Sequence, residues 1–63
     1  MKEKSKMRQI REKRGISFEM AAANVGVTRA TISNWEDGRV DPPFSKIIKL
    51  AKYYDVDINE FIG

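Results

Sequence analysis

Four side chains between Gly26 and Gly38 are equipped for reversible, non-covalent recognition. Arg29 carries a planar fork of N–H donors, the Asn34 amide donates and accepts at once, Ser33 offers a hydroxyl, and Ala30 ends in a methyl that permits close approach. At about 100° per helical residue, Ala30, Ser33, Asn34 and Asp37 point one way while Ile32, Trp35 and Glu36 point the other. A polar, small front is thus set against a bulky rear, and Arg29 leads the run.

Covalent and metal chemistry have fewer candidates. The chain has 0 Cys and 0 His, which removes the usual zinc ligands, the usual general base and the cysteine nucleophile, so no metal and no cofactor are expected. The stretch "DVDIN", residues 55–59, imitates the start of a calcium loop by alternating oxygen-bearing side chains. Glu60 stands where that loop needs its sharp-turn glycine, and no glutamate follows at the twelfth position. Glu36 and Asp37 adjoin, but neighbours on a helix point apart and do not make a catalytic carboxylate pair. A chain of 63 residues also has little material for a deep catalytic cavity, so an enzyme is not expected.

The elements that position these groups are short helices. No stretch alternates apolar and polar residues long enough for a strand, so the sequence predicts an all-α bundle of five short helices forming one domain over residues 1–63, with a basic arm at 1–5. The first helix runs from about Ser5 to Arg14 and stops at Gly15, with Ile16 free to fold back on Ile10. Ser17 caps the second, whose Ala21 and Ala22 allow close helix approach; Gly26 ends it. Thr28 caps the third, Val27 can staple onto Ile32, and Gly38 closes it. "RVDPP" is a turn and a restart. The fourth helix carries Phe44, Ile47, Leu50, Ala51 and Tyr54 on one stripe, with Lys46, Lys49 and Lys52 read as a solvated face. Asp57 and Glu60 have capping-box spacing at the start of a fifth.

The formal net charge is +3, unevenly placed. Residues 1–14 hold seven Lys or Arg against two Glu, a net of +5, and the remainder holds five against seven, a net of −2. A basic end suits contact with a polyanion. No apolar run approaches the ~18 residues of a membrane span, and the start "MKEKSKMRQ" lacks a signal peptide's apolar core. No membrane association and a reducing, cytoplasmic setting are therefore expected.

Residues 17–38 resemble the helix-turn-helix of the phage repressor and Cro family, also called the XRE family, and the likeness extends over nearly the whole chain. It is carried by the joint spacing of Gly15, Ser17, Ala22, Gly26, Val27, Ile32, Trp35, Glu36, Gly38 and Pro42. Physics asks for the same arrangement, since a helix can enter a major groove only if its rear is anchored, here by Ile32 and Trp35. The resemblance implies a lambda-repressor-like DNA-binding fold and a sequence-specific regulator of transcription, a repressor, working in a bacterial or phage-type cytoplasm at the nucleoid. It places Arg29, Ala30 and Asn34 at base-contacting positions, with Ser33 a further candidate for a base edge, set against a phosphate contact or plain helix surface. Arg suits guanine, Asn suits adenine, and the alanine methyl suits that of thymine.

Contacts to the DNA backbone are expected from Ser17, Phe18, Thr28, Thr31, Arg39 and Lys6, with Lys2 and Lys4 of the arm as further candidates. Arg11 and Glu36 stand where the family forms a partly buried ion pair. A homodimer on a palindromic double-stranded operator is expected, with Phe61 and Ile62 either part of its interface or plain core, and no small-molecule effector is evident. Phe18 departs from the family's usual glutamine. It either packs on deoxyribose or thymine methyls, or covers the helix pair; with Met20 it leaves an apolar patch. That patch keeps a second reading open, a protein-interaction or antitoxin-like module on the same fold.

Overall fold

In a computed structural model, described over residues 5–62, α1 (Lys6–Lys13), α2 (Phe18–Val25), α3 (Arg29–Glu36), α4 (Phe44–Tyr54) and α5 (Ile58–Ile62) follow one another without a strand among the described residues. Lys2 and Lys4 of the arm, and the side chain of Ile62, lie outside the described residues.

Side-chain hydroxyls start the first three helices. Ser5 Oγ accepts from Arg8 N at 3.1 Å, Ser17 Oγ from Met20 N at 3.1 Å, and Thr28 Oγ1 from Thr31 N at 3.2 Å, each satisfying a backbone donor that the helix itself leaves unpaired. At α5, Asp57 Oδ1 accepts from Asn59 N at 2.7 Å, so its cap takes the donor before the one that capping-box spacing predicts.

One closing device ends the first four helices. The N–H just past the turn reaches back five residues, Ile16 to Arg11 O, Val27 to Ala22 O, Arg39 to Asn34 O and Val56 to Ala51 O, at 3.0–3.1 Å. The residue before each is left-handed: Gly15, Gly26 and Gly38 at φ 69, 75 and 76°, and at the fourth Asp55 at φ 58°. A side chain tolerates that region poorly, and Asp is among the few that visit it. Asp55 is also tied across the fold, its carbonyl accepting from Arg14 Nη2 at 3.2 Å.

The core joins Ala21, Ala22 and Val25 of α2, Ile32 and Trp35 of α3, Leu50, Ala51 and Tyr54 of α4, and Phe61 of α5. α2 packs on α3 and α4, while α1 packs on α5 and α3. Ala21 is fully buried, as the close crossing of short helices requires. Tyr54 and Phe61 meet edge to face with centroids 5.5 Å apart. Phe61 is 2% exposed and packs within this core.

Two expectations for α4 need correction. Phe44 is 62% exposed rather than buried with its stripe. It is the first residue of α4, and helical side chains lean toward the N-terminus, so it overhangs the core and borders an apolar surface groove with Ile48, Ala51, Val56 and Ile58. Lys46 is not merely solvated, because its Nζ donates to Val25 O at 2.9 Å. A cation there satisfies a carbonyl at the C-terminal end of α2 and complements the helix dipole.

Candidate nucleic-acid interface

The rear of α3 is fixed by packing and by an ionic knot. Ile32, Trp35 and Glu36 are all buried. Arg11 Nε donates to Glu36 Oε2 at 2.7 Å and Nη2 to Oε1 at 3.4 Å, while Nη1 donates to Ile16 O at 2.7 Å. The Phe18 ring covers the same guanidinium, its centroid 4.0 Å from Cζ. One arginine thus ties the end of α1, the start of α2 and the end of α3. No buried side-chain N or O among the described residues lacks a partner, the condition under which charges are tolerated inside. Nearby, burial pushes the Tyr54 phenol well above its ordinary value; Glu36 adds to the rise and Arg11 opposes it.

The front of α3 is open. Arg29 and Ala30 are exposed, while Ser33 and Asn34 are half-buried. Arg29, Ala30 and Ser33 border a shallow surface depression whose remaining wall is Phe18. Asn34 lies further along the helix, where its carbonyl accepts from Arg39 N at 3.0 Å in the closing turn. Arg29 has a partner that sequence reasoning missed: Glu19 Oε1 stands 3.4 Å from its Nη1, with both side chains well exposed. From sequence, a Glu in the first turn of α2 reads only as a dipole partner. Its match with a residue on the next helix depends on how the two helices cross.

Of the residues expected at the DNA backbone, only Phe18 borders this depression. Ser17 is exposed, and since its oxygen accepts the cap bond its hydroxyl proton is free for an outside acceptor. Thr28 Oγ1 and Thr31 Oγ1 are 2.9 Å apart, which uses one of their two hydroxyl protons and leaves the other. Arg39 is exposed in the exit loop. Lys6 is exposed at the start of α1 and does not border the depression. Phe18 is half-buried against the core, so of the apolar pair only Met20, 49% exposed, stands clear of it.

A short helix rooted by its rear, preceded by a helix meeting it through a glycine turn, defines the helix-turn-helix class of DNA-binding domain. The helix-turn-helix family profile matches residues 7–61, and the chain belongs to that family. It is 36% identical over 58 residues to the HTH-type transcriptional regulator PuuR of Escherichia coli, covering 92% of this chain and 31% of PuuR. It is 36% identical over 59 residues to the cryptic phage CTXphi transcriptional repressor RstR of Vibrio cholerae, covering 94% of this chain and 53% of RstR. To the uncharacterized HTH-type transcriptional regulator YobD of Bacillus subtilis it is 28% identical over 58 residues, covering 92% of this chain and 52% of YobD. The chain therefore spans about half, or less, of the length of these relatives.

Proposed function

We propose that this domain regulates transcription by binding a specific double-stranded DNA sequence, with the front of α3 in the major groove. One observation carries the reading: Ile32, Trp35 and Glu36 root the helix in the interior while Arg29, Ala30, Ser33 and Asn34 remain at its open side. Arg29 donates its fork to O6 and N7 of a guanine, Asn34 pairs with an adenine, Ala30 touches a thymine methyl, and Ser33 adds a hydrogen bond to a base edge. The hydroxyls of Ser17, Thr28 and Thr31 and the cations of Arg39 and Lys6 face phosphates, setting register and supplying much of the affinity.

A module of this size gains specificity by pairing, so the domain acts as a homodimer on a two-fold operator with half-sites about one helical turn, ~34 Å, apart. Repression is the direction favoured by the likeness to RstR, named a repressor. The action takes place where the DNA is, in the cytoplasm, and the domain does no covalent chemistry. Selection of bound duplexes from a random pool tests all of this. The expected result is a consensus with dyad symmetry, bound with a steep inverse dependence on salt; enrichment of no consensus overturns it.

A further inference from the structure

The depression at the front of α3 has walls of contrasting chemistry. Phe18 contributes an aromatic ring that cannot swing freely, because it packs against the core and lies over the Arg11 guanidinium at 4.0 Å. Ala30 contributes an exposed methyl, Ser33 a hydroxyl, and Arg29 a guanidinium whose Nη1 lies 3.4 Å from Glu19 Oε1. A ligand that fits must place an apolar group on the ring and the methyl, and an acceptor beside it for the fork.

A phosphate suits the site poorly, because Glu19, whose carboxylate oxygen lies 3.4 Å from Arg29 Nη1, repels an anion brought to that guanidinium. Among groups displayed in a major groove, the C5 methyl of a pyrimidine is the apolar one, and guanine N7 and O6 are the acceptor pair that an arginine fork reads. Resting on the DNA-binding reading above, we propose that Phe18 and Ala30 form a receptor for the C5 methyl of a thymine or 5-methylcytosine next to the guanine read by Arg29, and that Glu19 is the positioning residue that holds Arg29 beside it. Phe18 then reads a base rather than the sugar-phosphate backbone.

The test uses the selected consensus duplex. Each thymine is replaced singly by uracil, and any cytosine beside the guanine by 5-methylcytosine, with affinities measured by fluorescence anisotropy at fixed salt. One thymine per half-site, adjacent to a guanine, is expected to bind about fourfold better than uracil, which is ~0.8 kcal/mol for one buried methyl at 1.4 kcal/mol per tenfold. If cytosine occupies that place, the same ratio of 5-methylcytosine over cytosine identifies the modified base as the source.

Phe18→Gln and, separately, Ala30→Gly should bring the methyl ratio to one. The ratio is taken within each variant, so a lower folded fraction cancels. Glu19→Gln should retain the methyl ratio while broadening base preference at the neighbouring guanine. A consensus in which methyl removal costs nothing anywhere, or a ratio that persists in both Phe18→Gln and Ala30→Gly, overturns the receptor while leaving DNA recognition standing. An unchanged guanine preference in Glu19→Gln overturns the positioning role. Failure to select any consensus removes the DNA reading and the receptor with it.

Discussion

Two arginine–glutamate pairs stand on the two sides of one eight-residue helix. Arg11 and Glu36, 2.7 Å apart and with side chains 7% and 2% exposed, lie inside. Arg29 and Glu19, 3.4 Å apart and 66% and 70% exposed, lie outside. The chemistry is the same and the consequences differ, because water decides what an ion pair is for. Inside, both ions are desolvated and every contact must be made, so the pair belongs to the architecture. Outside, each ion keeps most of its hydration, the pair adds little to stability, and the guanidinium remains available to a partner.

Breaking the inner pair should have the largest effect. Glu36→Gln leaves a buried guanidinium without its counter-charge, and chemical denaturation should show a loss of about 3–5 kcal/mol. A small domain has few kcal/mol in reserve, so loss of DNA binding should accompany loss of helical circular dichroism. A fully stable Glu36→Gln protein would erase the contrast between the two pairs.

Arg29→Ala should do the opposite. Its stability should stay within about 0.5 kcal/mol of the parent, while preference at one base position falls by about 1–3 kcal/mol, read from competition between operator variants. Asn34→Ala should act likewise at a different base position. Specific binding unchanged in both variants would remove α3 as the reading element.

Alkali probes the inner side through Tyr54. Its folded-state pKa is raised above the ordinary value of 10.0, chiefly by burial. The contribution of the neutral phenol is therefore fully present below about pH 10 and lost as pH rises from there toward the folded-state value, by up to about 1.4 kcal/mol per pH unit. Stability of the parent and of Tyr54→Phe, compared across pH 9 to 11, should diverge above pH 10, with the parent falling faster. The smallest effect is expected at the outer pair: Glu19→Gln should shift stability by less than about 0.5 kcal/mol, and added salt should shrink that shift further.

What the sequence made legible was local. Ser5, Ser17 and Thr28 as starts, Gly15, Gly26 and Gly38 as stops, and the division of α3 into rear and front all depend on residues within one or two turns of each other. Arg11 with Glu36 entered through family likeness, since nothing in their own neighbourhoods pairs them across 25 positions. The remaining features depend on how helices cross. Periodicity says which side of α2 or α4 is polar; it does not say that Glu19 meets Arg29, that Lys46 reaches Val25 O, or that Phe18 lies over Arg11. That Phe61 meets Tyr54 edge to face is likewise a matter of how α4 and α5 pack, which periodicity does not give. Asp55 was hidden for another reason: a left-handed turn is conspicuous when glycine makes it and inconspicuous when aspartate does.

The brevity of α3 has a consequence of its own. Eight residues fall short of the ~12–15 at which a lone helix persists in water, so excised from its surroundings this segment would be a coil with no shape to offer a groove. On the proposed reading, competence to bind DNA is then all or none: a temperature that melts the small interior dissolves the reader at the same moment, leaving no half-active species between occupied and vacant DNA.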